Sequence, residues 1–135
     1  MSVSSPTYSL RSLLEVGGST LIISEERRIE LDERGDLAAS AVSVFELFEG
    51  AYLSDRTDEE LRSIIEFVSR LRVAPVDGEV ATLAGELSAD LIGRGERIET
   101  EDVLIAATAL HNETVVLTRN SDHFERMASV TVESY

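Results

Sequence analysis

The 135 residues are the right number for one domain built on a single hydrophobic core, and residues 1–135 are read as that one domain. With 43% hydrophobic and 28% charged residues the chain lies near globular averages, which excludes collagen-like, low-complexity and wholly disordered polymers. Twelve basic residues, every one an Arg, face 26 acids for a net charge of −14, and a surface of that sign repels nucleic acid at low salt.

The acid excess is diffuse, with 14 acids against six Arg in residues 1–67 and 12 against six in residues 68–135. Diffuse acid without any Lys is the composition expected of a halophile, where salt near 1 M shortens the Debye length to about 3 Å and screens the repulsion of a polyanion. The absence of Cys excludes disulfides, thiolate chemistry and Cys-ligated zinc. Leu21-Ile22-Ile23 is too short an apolar patch for a signal-peptide core or a membrane span, so a cytoplasmic protein with no membrane contact is expected.

In chain order, residues 1–36 are atypical: Ser and Thr crowd the start, Gly17-Gly18 interrupts helix, and Leu21–Ile23 reads as a strand turning into a charged helix from Ser24 to Arg34. Leu37 to Ser43 has the length of a buried strand. Ser43-Val44-Phe45-Glu46 has the form of a capping box, opening a helix through Leu47, Phe48, Ala51 and Tyr52. A second such box, Thr57 to Glu60, opens a helix to Arg72 that places Leu61, Ile64, Ile65, Val68 and Leu71 on one face. Val73-Ala74-Pro75-Val76 follows as a short strand whose Pro confines it to an edge or a strand end, and Asp77 can cap a helix that runs towards Arg94, where Gly93 and Gly95 stop it. A helix opened by Thr100 or the adjacent acids and ending near His111-Asn112 precedes the strand Thr114–Thr118. A short helix from Ser121 to Met127 and a strand at Val130-Thr131-Val132 end the series. Strands and helices alternating in this way predict an α/β fold with a mainly parallel central sheet flanked by helices.

In such sheets ligands bind outside the carboxyl ends of the strands, so polar residues at strand-to-helix junctions are the first candidates for chemistry. Glu46, Asp102, and Asn120 with Asp122 occupy three such junctions. Each has a plain structural alternative: Glu46 completes a capping box, Asp102 complements a helix dipole, and Asn120 caps a helix. Carboxylates gathered at one sheet edge repel each other, however, and are ordinarily retained for a divalent cation. His111 and His123 lack the spacing of a metal site and read as surface or helix-end residues, with His123 a local cap or substrate contact. Phe45, Phe48 and Phe124 read as core, and Arg94, Arg97 and Arg119 as solvated side chains or phosphate contacts.

Ala41-Val42-Ser43-Val44-Phe45-Glu46-Leu47-Phe48-Glu49-Gly50-Ala51 resembles the second acidic motif of PIN-domain proteins of the VapC toxin type. Gly95-Glu96-Arg97-Ile98 followed by Asp102-Val103-Leu104-Ile105-Ala106-Ala107 resembles the third, and Leu117-Thr118-Arg119-Asn120-Ser121-Asp122-His123-Phe124 resembles the last. The resemblance spans about residues 37–135 and is specific as a set. It implies a three-layer PIN-like fold and a metal-dependent ribonuclease that hydrolyses RNA phosphodiesters with Mg²⁺ or Mn²⁺. It also implies a homodimer, inhibited by a small antitoxin protein. By the same resemblance Asp102 is a metal ligand, Glu46 binds metal directly or through water, Asn120 takes the fourth polar position, and Asp122 is a weaker metal-binding neighbour. These ligands are all hard oxygen donors, which suits Mg²⁺.

The first acidic motif, a strand ending in Asp followed by Ser or Thr, has no counterpart. One register puts Pro6 in place of the Asp, another puts Gly18 there, and neither side chain has a carboxylate. Glu15, Glu25 or another acid would have to substitute, and an altered reading frame or misplaced start before about residue 28 would also explain the mismatch. The competing readings are therefore a PIN-like module that has lost catalysis and binds a partner and, more remotely, a receiver-like domain using Asp102 as nucleophile.

Overall fold

A computed structural model of the protein describes residues 20–23 and 37–134. Among the described residues ten elements follow in order: β1 (Leu21–Ile23), β2 (Leu37–Ser40), α1 (Ala41–Leu53), α2 (Thr57–Ser69), β3 (Leu71–Ala74), α3 (Gly78–Gly93), α4 (Thr100–His111), β4 (Val115–Thr118), α5 (Ser121–Glu125) and β5 (Val132–Ser134). The helix expected over residues 24–34 lies outside the described residues.

The five strands form one sheet in the order β3-β2-β1-β4-β5. β2 pairs parallel with β3, from Leu37↔Leu71 to Ser40↔Ala74, and β4 pairs parallel with β5, from Val116↔Val132 to Thr118↔Ser134. β1 lies between β2 and β4 and runs antiparallel to both, with Ile22 opposite Ala38 on one side and Val116 on the other. Four strands thus point one way, as the alternating pattern predicts, and the middle strand runs against them. Reversal puts the start of β1 at the edge where β2 and β4 end, and Thr20 Oγ1 lies 2.9 Å from Thr118 Oγ1 there.

Period-two alternation along these strands divides the core between the two faces of the sheet. Leu21, Ile23, Ala39, Val115 and Leu117 pack with Leu47 of α1 and Phe67 of α2. Ile22, Ala38 and Val116 pack on the other side with Val80, Ala84 and Leu91 of α3, Ile105 and Ala109 of α4, and Phe124 of α5. This is a helix–sheet–helix sandwich whose central strands are apolar on both faces, and each Leu or Ile so buried contributes about 1.5–3 kcal/mol of transfer free energy.

Several boundaries differ from the sequence reading, each for a local reason. β2 stops at Ser40, whose side chain caps α1 by accepting from the Val42 N–H at 3.2 Å, so the helix starts ahead of the expected Ser43. The Ser43 to Glu46 capping box therefore does not form: Ser43 lies inside the helix, 98% buried, with no partner for its Oγ. Thr57 does not cap α2 either; its hydroxyl donates to the Ser54 carbonyl at 2.8 Å. α2 ends at Ser69 because Leu71 to Ala74 pair with β2, so backbone pairing to a buried strand outweighs the helical spacing of Leu71. β5 begins at Val132, not Val130. Asp77 does cap α3, accepting from the Val80 N–H at 3.0 Å. Phe124 is core, but Phe45 is 57% exposed and is not.

α3 ends in a Schellman motif in which Gly95 N–H donates to the Ile92 carbonyl at 3.0 Å and Glu96 N–H to the Leu91 carbonyl at 2.8 Å. Gly95 has φ +72, a left-handed conformation that glycine adopts without a Cβ penalty, and the sharp turn it makes delivers the chain to the start of α4.

Ser40 has two bonds at the hinge between sheet and α1, since its Oγ also lies 3.1 Å from Thr108 Oγ1. Ser40→Ala removes both and leaves Thr108 to its bond with the Leu104 carbonyl. The expected loss is about 1–2 kcal/mol by urea unfolding, and a change below the error of the measurement would show that neither bond contributes.

Candidate functional site

The carboxyl ends of β2 and β4 lie at one edge of the sheet, and the helices that leave them carry Glu46 and Asn120; Asp102 is not at a strand-to-helix junction as expected but at the start of α4, which follows α3. Glu46 lies on the second turn of α1, Asp102 in the first turn of α4, and Asn120 at the N-cap of α5. The structure brings Glu46 and Asp102 within electrostatic reach. The Glu46 carboxyl is held above its ordinary pKa, first by partial desolvation where it meets the protein, then by repulsion from Asp102, Glu101 and Glu49. Because the expected capping box is absent, Glu46 has no structural task at the helix start, and a carboxylate held beside others without one is an unfavourable arrangement that a bound cation would relieve.

Asp102 is fixed by a residue that sequence reasoning placed elsewhere. His123 Nδ1 lies 2.6 Å from Asp102 Oδ2, with both side chains mostly shielded from solvent. His123 is thus neither a local cap nor an idle helix-end residue: its ring orients one oxygen of Asp102 and leaves the other available. The two residues stand twenty-one positions apart with no spacing rule to join them, and the helix that carries Asp102 follows another helix, not a strand, so the pairing had no sequence signal. His111, by contrast, pairs across the surface with Glu79 at 3.5 Å.

Asn120 makes no side-chain capping bond; its backbone N–H donates to Thr118 Oγ1 at 3.1 Å, which leaves the exposed amide for other work at the same edge. Asp122 is exposed, and among the described residues no three His, Asp or Glu side chains gather closely enough to hold a metal ion. Pro6, Gly18, Glu15 and Glu25 lie outside the described residues. The donor chemistry of Glu46 and Asp102 fits a hard divalent ion, as two members of a set whose further members these residues do not provide. Beside them opens a cleft of about 410 Å³ lined by Arg97, Ile98, Glu99, Thr100 and His123.

Glu46 also sets an expectation for stability. A carboxylate whose folded pKa is raised opposes folding once ionised, so its unfavourable contribution is absent at acid pH and grows as pH rises through the raised value. Without added metal, Glu46→Gln should therefore match the parent near pH 4 and melt about 1–2 °C higher at pH 7. A variant that melts lower at pH 7 would show that the Glu46 carboxylate is favourably paired.

This chain belongs to the PIN domain family, whose model matches residues 14–130. It is 31% identical over 112 residues to the tRNA(fMet)-specific endonuclease VapC of Shigella flexneri, covering 83% of this chain and 84% of that protein. The crystal structure of DNA-bound VapBC from Salmonella typhimurium matches with a TM-score of 0.69 and 31% identity, over 72% of this chain and 74% of that one. VapBC-1 from nontypeable Haemophilus influenzae matches with a TM-score of 0.70 and 26% identity, over 81% of both chains. These likenesses make it a VapC-type member of the family.

Proposed function

We propose that this protein is a toxin of the VapC type, a divalent-metal-dependent endoribonuclease that a cognate antitoxin holds inactive. The observation that supports this most is the juxtaposition of Glu46, whose carboxyl is pushed up by burial and then by repulsion from Asp102, with an Asp102 oriented by His123. Asp102 and Glu46 would hold Mg²⁺ or Mn²⁺, and Asn120 would offer a neutral oxygen or an amide donor at the same edge. A bound ion there would supply charge neutralisation and an activated water for attack on a phosphodiester. The tRNA specificity in the name of the Shigella relative makes structured tRNA the first substrate to try, and the VapBC complexes support a small antitoxin as partner. A homodimer in the cytoplasm completes this reading. Among the described residues no helix is long and apolar enough to cross a membrane.

A second reading has one observation in its favour. Since the described residues supply two site carboxylates and no cluster of three, a PIN module that binds its antitoxin without cleaving RNA also fits. Calorimetric titration with Mn²⁺ and Mg²⁺ in molar KCl, followed by incubation of the loaded protein with tRNA, separates the two. Saturable binding with metal-dependent cleavage is expected. No binding at millimolar metal would overturn the nuclease reading and leave the binding module.

A further inference from the structure

The cleft beside the acid pair is bounded by the connection from α3 to α4, and that connection is braced on both sides by arginines. Arg94 donates from Nε to Asp90 at 3.0 Å, from Nη1 to Glu96 at 3.0 Å, and from Nη2 to the Arg126 carbonyl at 2.9 Å. Arg126 in turn donates from Nη1 to the Arg97 carbonyl at 3.4 Å. Two guanidinium groups are therefore engaged in holding this loop against the end of α5. A third, Arg97, is exposed at the cleft and makes no ion pair among the described residues. Arg62 and Arg72 also make no ion pair among the described residues, but of the three only Arg97 lines the cleft beside Asp102. His123 lines the same cleft, and one edge of its ring is bonded to Asp102. The cleft and the acid pair thus share a side chain and form one continuous surface.

We infer that this cleft is a phosphate subsite, in which Arg97 takes a backbone phosphate of an RNA strand next to the one presented to Glu46 and Asp102. The inference rests on the ribonuclease reading and deepens it. Arg97 supplies charge and paired N–H donors to phosphate oxygens, Thr100 adds a hydroxyl, and the exposed edge of His123 faces the strand where it passes towards Asp102. The same arrangement reconciles an acidic protein with a polyanionic substrate. Repulsion acts over the whole surface and is screened by salt, while the contact at Arg97 is short-ranged and survives it. Glu99 on the rim opposes an anion and keeps the subsite weak on its own, so that it orients a strand without trapping it.

The test uses the full chain with a chelator present, so that binding is read without cleavage. A fluorescein-labelled single-stranded RNA and its DNA counterpart are titrated by anisotropy across a KCl series. Arg97→Ala is expected to weaken RNA binding by about fivefold to tenfold and to reduce the slope of log K against log salt by about one, with an equal loss for DNA. Arg97→Lys should restore part of the affinity, and Arg62→Ala on α2 should match the parent. Parent-like binding by Arg97→Ala, in a protein that does bind RNA, would overturn the subsite and leave the ribonuclease reading standing. A loss confined to RNA would assign the contact to the 2′-hydroxyl and overturn the phosphate assignment. Absence of RNA binding by the parent at every salt concentration would overturn the subsite, while cleavage of tRNA by the metal-loaded protein decides the ribonuclease reading separately. If Arg97→Ala instead weakened only capture of an antitoxin peptide, the cleft would belong to the protein partner and the inference would fall.

Discussion

Asp102→Asn should lower divalent-metal affinity and any RNA cleavage by at least about a hundredfold while leaving the melting temperature near that of the parent. The separation of the two effects follows from the geometry. The amide is nearly isosteric with the carboxylate, and its oxygen still accepts from His123 Nδ1 at the position where Oδ2 stands 2.6 Å away, so the packing of α4 against α5 is kept. What is lost is the charge. His123→Gln provides the graded comparison: the carboxylate stays but its orienting bond weakens, and about a tenfold loss of metal affinity is expected. Calorimetry with Mn²⁺ reads both. If Asp102→Asn bound metal as the parent does, the ion would lie elsewhere and the site built on α1 and α4 would be wrong; if it simply unfolded, His123→Gln would still decide whether Asp102 needs its partner.

Much of the arrangement behind that expectation was legible in the residues, and what escaped is physically specific. The alternation of apolar strands with amphipathic helices places the elements from residue 37 onward because their burial is set by short-range periodicity. Asp77 and Gly95 mark helix ends by mechanisms confined to one turn. The start of α1 escaped because Ser40 and Ser43 both have capping chemistry, and the choice between them was made by Thr108, 68 residues away, which bonds Ser40. The exposure of Phe45 escaped for a related reason: moving the helix start rotates which residues face the sheet, and Ser43, Leu47 and Ala51 occupy the buried stripe. At the site, the positions of Glu46 and Asp102 could be read from motifs, whereas the His123 to Asp102 bond is a contact between the two helices α4 and α5, whose proximity is a matter of tertiary packing. The direction of β1 was beyond periodicity altogether, since a three-residue apolar run looks the same read either way.

That reversal bears on the missing acid. Gly18→Asp is expected to raise Mn²⁺ affinity about tenfold or more and to increase RNA cleavage with it, whereas Pro6→Asp should change neither. The family match covers residue 18 and not residue 6. Thr20, at the described start of β1, already reaches the edge of the sheet where β4 ends, through its hydroxyl contact with Thr118. Thr20→Asp is therefore the companion variant: it puts a carboxylate directly at that edge in place of a hydroxyl, at the cost of the bond to Thr118. A gain in both Gly18→Asp and Thr20→Asp would show a site short of one ligand and repairable from this strand. A gain in Pro6→Asp alone would place the first motif in the other register. If none of the three improves metal affinity while Asp102→Asn abolishes it, the ion is already complete in the parent, and one of the other acids, Glu15 and Glu25 first among them, supplies the ligand that the motif lacks. The charge balance makes the experiment sensitive, because each added carboxylate also raises the repulsion already felt by Glu46, and only a bound cation turns that repulsion into affinity.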